Sequence, residues 1–110
     1  MAETPKRLGA TTVTANTDTA LYVVPSVTST IVSSIAVCNR GSSSATFRVA
    51  HIAGALGTVQ LSDYLYYDAT IAPNDSFIIT IGATMATTHT LLVRSNSASV
   101  NFVAWGMELS

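Results

Sequence analysis

The chain offers few side chains for chemistry: two histidines (His51 and His89), one cysteine (Cys38) and six acidic residues in a length of 110. Nucleophilic catalysis needs a Ser or Cys beside a base, with an acid to orient that base. Hydroxyls are abundant, yet no Gly-x-Ser-x-Gly turn presents one. His51 follows Phe47 and Val49 in an alternating run, which predicts a packed or hydrogen-bonded histidine at the core edge rather than a base. His89, within Thr87-Thr88-His89-Thr90, reads as an exposed loop residue. Cys38 alternates with Val32 and Ala36 and reads as a small buried hydrophobe. Being alone, it can close no disulfide within the chain and fits assembly in a reducing cytoplasm. Asp63, Asp68 and Asp75 stand five and seven residues apart, which is not the spacing of a calcium loop, and no Cys/His pair has zinc-ligand spacing. Asp75, after Asn74, is a turn former whose carboxylate accepts from nearby backbone. The expectation is a protein with no catalytic residue, no metal ligand and no cofactor, and therefore no enzyme.

What the chain does offer is contact surface. In Tyr64-Leu65-Tyr66-Tyr67, strand alternation sends Tyr64 and Tyr66 one way and Leu65 and Tyr67 the other. One pair is then core and the other meets a neighbouring subunit, with sugar or base stacking as the rival use. Trp105 shares a face with Val103 and Met107, either as core or as an apolar interface patch. Pro5, Lys6 and Arg7 sit in a polar N-terminal arm that could be laid across a neighbour. The candidate interface residues are thus Pro5, Lys6, Arg7, Tyr64, Tyr66, Tyr67 and Trp105.

Composition points the same way. Charged residues make up 10% of the chain, against about 25% in ordinary globular proteins. Ser and Thr supply 29 residues, and mean hydropathy is +0.42. A small domain has a large surface, and here much of it must be apolar or hydroxyl-bearing; covering by neighbouring copies makes that tolerable. A net charge of −1 leaves no electrostatic footprint for nucleic acid. No apolar run approaches the ~20 residues of a membrane helix. No apolar segment follows Lys6 and Arg7 closely enough to predict a signal peptide.

The elements that must carry these residues are strands. Period-two alternation and β-branched residues dominate, with no sustained 3.6-residue period. After an arm over residues 1–9, strands are predicted at 10–15, 20–24, 30–39, 45–53, 63–67, 76–81, 90–94 and 100–107, with loop at 82–85. In the third, Ile31, Ser33, Ile35 and Val37 share one face. Arg40-Gly41-Ser42-Ser43 predicts an antiparallel hairpin between the third and fourth strands. Turn signals at Asn16-Thr17-Asp18, Pro73-Asn74-Asp75 and Asn96-Ser97-Ala98 separate the others. The fold class is all-β: one domain over residues 10–110, an antiparallel β-sandwich of jelly-roll or Greek-key type with about eight short strands.

Several of these segments form a recognisable series. Asn16-Thr17-Asp18-Thr19-Ala20-Leu21-Tyr22 with Pro25, Ser33-Ser34-Ile35 leading to Cys38-Asn39-Arg40-Gly41, and Phe47-Arg48-Val49 are followed by Tyr67-Asp68-Ala69-Thr70-Ile71-Ala72-Pro73-Asn74-Asp75. Val100-Asn101-Phe102 with Trp105-Gly106 closes it. The series resembles a group of small phage virion proteins over most of residues 16–106. The resemblance implies a β-sandwich subunit of a capsid decoration (cement) layer or of tail and neck parts, without catalytic residues. The expectation that follows is a cement protein in the virion, assembled in the host cytoplasm, self-associating as a trimer and bound to the major capsid protein. A tail, neck or baseplate subunit and a glycan-binding receptor module are the alternatives.

Overall fold

The computed structural model describes residues 3–110. Met1 and Ala2, the first two residues of the expected arm, lie outside the described residues. Eight strands follow in order: β1 (Glu3–Thr12), β2 (Thr19–Val23), β3 (Ser29–Asn39), β4 (Ala45–Ile52), β5 (Tyr64–Ile71), β6 (Ser76–Met85), β7 (Thr90–Ser95) and β8 (Val100–Leu109). Two short 3-10 turns, Leu56–Thr58 and Leu61–Asp63, lie between β4 and β5. The predicted turns fall where the backbone reverses, with Asn16 and Asn74 at φ 57° and 55°, a left-handed conformation that Asn tolerates.

Two four-stranded antiparallel sheets stack face to face, ordered β1-β8-β3-β6 and β2-β7-β4-β5. This is the jelly-roll order, in which all connections but β4 to β5 cross from one sheet to the other. The expected hairpin of the third and fourth strands is therefore corrected, since β3 and β4 lie in different sheets. The cause is Asn39, fully buried at the end of β3. Its amide donates to the Ser43 carbonyl at 2.9 Å and to those of Ile71 and Ala72 at 3.3 Å, and its oxygen accepts from the Gly41 N–H at 2.9 Å. The loop after β3 is thereby bound to the β5–β6 connection and directed across the sandwich.

Phe47, Phe102, Ile35, Val37, Leu91 and Met85 are fully or almost fully buried between the sheets. The Phe47 ring lies 5.7, 6.0 and 6.3 Å from those of Tyr66, Phe77 and Phe102, so this one side chain joins strands of both layers. Burying such an aromatic contributes about 3 kcal/mol, and deleting it costs more because a cavity is left. Ala50, Ile52 and Leu92 form a second, smaller cluster, covered by Leu56, Val59 and Tyr64. The connection from β4 to β5 is thus a roof over apolar residues.

Bulges decide which side chains face inward. In β3 the register slips between Val32 and Ser34, so Val32, Ile35 and Val37 are buried while Ile31 is outside. The predicted face of Ile31, Ser33, Ile35 and Val37 is broken at that point, and Cys38 is only partly buried, on the outer side. The arm expected over residues 1–9 is strand from Glu3 onward, because its backbone pairs with β8 from Glu3↔Leu109 to Arg7↔Trp105. The predicted loop at 82–85 likewise belongs to β6, held by Ala83↔Val32 and Met85↔Thr30. Gly9 follows the β1 bulge, where an added Cβ would meet the Leu21 carbonyl oxygen at 2.3 Å, so the two sheets approach closely there.

Candidate interaction surface

The outer face of the β1-β8-β3-β6 sheet can be read from its register. One row across the strands is Ala10, Val103, Ala36 and Ile78; the next is Arg7, Trp105, Ser34 and Thr80; the third is Pro5, Met107, Ile31 and Thr84. Arg7 is the only charged residue among them, and none is buried within the chain. Trp105, Ile31 and Ile78 keep 40%, 36% and 65% of their surface exposed. A groove of about 380 Å³ runs beside the indole, lined by Pro5, Lys6, Ile31, Ser33, Trp105, Gly106 and Met107. Three candidate interface residues, Pro5, Lys6 and Trp105, therefore meet at one place, with Arg7 opposite Trp105 in the ladder. Val103, Trp105 and Met107 share the outer face because β8 keeps an unbroken register along its length. Gly106 lets β8 approach β3 closely beside the groove, since a Cβ there would strike the Ile31 carbonyl oxygen at 2.0 Å.

Ile31 and Ile78 were not among the candidates. For Ile78 a signal existed: in Phe77-Ile78-Ile79 alternation must turn the middle residue away from its neighbours. For Ile31 none did, because the bulge at Ser33 places it outside and alternation alone does not foresee the bulge.

The three tyrosines separate. Val49↔Tyr66 and Ala50↔Tyr64 are successive pairs with a register slip between them. Tyr66 packs against the main core beside Phe47, while Tyr64 joins the small outer cluster. The pairing of Tyr64 with Tyr66 on one face is thus corrected. Tyr67 stands edge-on to Tyr64 at 4.9 Å, and the Arg48 guanidinium lies 4.1 Å from the Tyr67 ring centroid. Arg48 also donates to both carboxylate oxygens of Asp68, at 2.7 and 3.1 Å. This pairing raises the pKa of Arg48 further and lowers that of Asp68. Across β4 and β7, Arg48 faces Arg94, whose guanidinium is paired with Asp18 at 3.1 Å. The polar cleft between them measures about 40 Å³, far below the several hundred of a small-molecule pocket. With Arg48 over the Tyr67 ring, this cluster is internally satisfied and offers a sugar little to stack on.

Two further clusters lie at the end of the sandwich where β2 and β4 finish and β7 begins. His51 Nε2 and His89 Nδ1 are 2.9 Å apart, one donating to the other. His51 is the hydrogen-bonded core-edge residue expected, whereas His89 is half-buried rather than exposed, held by this bond and by its backbone pairing with Val24. Burial lowers the pKa of His51, the His89 charge lowers it again, and Asp63 opposes them. The Tyr22 hydroxyl donates to Glu108 and accepts from buried Thr30 at 2.8 Å, and Glu108 in turn pairs with Lys6 at 3.3 Å. Burial, then Glu108, pushes the Tyr22 phenol up to about 12, while the Tyr22 bond holds Glu108 below the usual carboxylate range.

Asp63 closes a 3-10 turn by accepting from the Gln60 N–H, and Asp75 accepts from the Ser76 N–H as predicted for a turn former. The acidic residues thus do not converge, and no group of three or more potential ligands among the described residues could hold a metal ion. No family model matches the chain, and no curated protein or solved structure matches it.

Proposed function

We propose that this chain is a structural subunit of a bacteriophage virion, a capsid cement protein whose copies associate and bind the major capsid protein. The observation that carries the reading is the outer face of the β1-β8-β3-β6 sheet, with Trp105 exposed, a groove beside it and its strand charges confined to the edge strand β1. Such a face is costly to leave in water and well suited to a protein neighbour, since interface cores are enriched in aromatics and depleted in charge. The resemblance of residues 16–106 to small phage virion proteins supplies the kind of neighbour. The mechanism is linkage: a subunit that binds only the assembled shell stabilises the shell against disassembly. The fold suits the task, as the strands are staples between two layers and need no catalytic cleft.

The test is location. Reconstruction of the particle carrying this chain should place it in hundreds of copies over the shell. Particles lacking it should lose their genome at lower temperature than complete ones. A handful of copies at one vertex would assign it to the tail or neck instead, and its absence from purified particles would end the virion reading.

A further inference from the structure

We infer that the neighbour covering the outer face of the β1-β8-β3-β6 sheet is a second copy of this chain, packed face to face about a twofold axis near Trp105. The inference rests on the self-association proposed above and gives it an order, a pair in place of the expected trimer. Charge is the first argument. A partner here must bury a surface whose strand charges, Glu3 and Arg7, both sit on the edge strand β1 and so fall at a rim, with Arg40 at one end beside Asn101. The chain's own face meets that requirement without stranding a charge.

Area is the second. Four strands at about 4.8 Å spacing and four rows of outward residues make a face of roughly 500 Å². Two copies would bury about 1,000 Å², the lower bound for a specific protein interface. Sheets stacked this way lie about 10 Å apart, the arrangement that already forms the interior of the molecule.

Shape is the third. The tallest side chain of the face, Trp105, stands at the wall of a large depression, the groove lined by Gly106, Pro5 and Ile31. A projection next to a hollow is what a twofold interface requires, because each Trp105 can then enter the groove of the other copy. A buried aromatic anchor of this kind commonly dominates the binding energy. The pairing leaves Leu65 and Tyr67, on the opposite sheet, directed outward in both copies toward the shell.

Trp105 is the single tryptophan, so its fluorescence reports this contact directly in the native chain. On concentrating the full-length protein, light scattering should give twice the 11.5 kDa mass while acrylamide quenching of Trp105 falls at least threefold. Trp105→Glu should leave a folded monomer by circular dichroism, and Tyr67→Glu on the other sheet should leave the pair intact. A monomer or trimer at all concentrations, a pair whose Trp105 stays fully quenchable, or a pair that survives Trp105→Glu would each overturn the inference. None of these results bears on whether the chain is present in particles, so the virion reading stands or falls separately.

Discussion

His51 and His89 face one another through two ring nitrogens, and only one of those nitrogens can carry a proton if the bond is to persist. Burial, and then the His89 charge, makes the folded state resist protonation of His51, whose pKa lies below its ordinary 6.5, while the unfolded chain takes up the proton near 6.5. Because the unfolded state binds more protons in this window, stability should hold above pH 7 and fall as pH drops through 6.5 toward the folded value. His51→Gln should flatten that decline, which urea midpoints between pH 7.5 and 5 will measure; an unchanged slope would exclude the pair as its source. Glu108 acts with the same sign in a lower window. Its lowered pKa adds stability that is present above the ordinary value of 4.5 and lost as pH falls through the folded one, so the two windows separate. Tyr22→Phe removes the donor to Glu108 and the acceptor for Thr30, which is fully buried. A loss of about 1–3 kcal/mol is expected, read from denaturant midpoints at pH 7. A variant as stable as the parent would mean that water satisfies both groups as well as Tyr22 does.

At the scale of elements, strand existence was legible and strand phase was not. Apolar alternation with β-branched residues marks the strands from β2 onward and only the end of β1, and Asn-containing turns mark three of the seven connections. Alternation says nothing of a bulge, however, and one extra residue inverts every side chain beyond it. The slip around Ser33 moved Ile31 from the core to the groove, and the slip between Tyr64 and Tyr66 parted two tyrosines expected on one face. The interface candidates Pro5, Lys6 and Trp105 could be named by type, but only the β1–β8 pairing shows that they adjoin. His51 could be placed at the core edge, but its partner could not, since 38 residues of chain separate the two rings. Gly106 permits β8 to lie against the bulged segment of β3. Gly106→Ala would force a methyl into the Ile31 carbonyl, part the strands and cost on the order of 3 kcal/mol. The melting temperature should drop by more than about 10 °C on the usual scaling for a domain of this size. A drop under a few degrees would show that β3 moves aside cheaply.

For the whole molecule, the scarcity of charge has a direct consequence in solution. Among the described residues three ion pairs are formed, all with partly exposed partners, and pairs of that kind contribute little. Association through the outer sheet should therefore persist at ~1 M NaCl, where the Debye length is about 3 Å, and yield to urea, which solvates apolar and peptide groups. Light scattering across both series checks this. Dissociation below ~0.5 M salt would instead assign the contact to exposed charges such as Lys6 and Arg7. The jelly-roll order also makes each sheet from strands distant in the chain, so neither can form without the other, and slow, cooperative folding is expected. One more consequence lies in the β1–β8 ladder, where Glu3 stands opposite Leu109 and Thr12 opposite Asn101. Tension applied between residues 3 and 109 pulls on one rung at a time and peels the strands apart under a small force. Tension applied between residue 3 and the far end at Val100 loads every rung at once, as a lap joint is loaded, and the same bonds then hold together. How firmly this edge of the sandwich holds thus depends on the direction from which it is pulled as well as on the strength of its bonds.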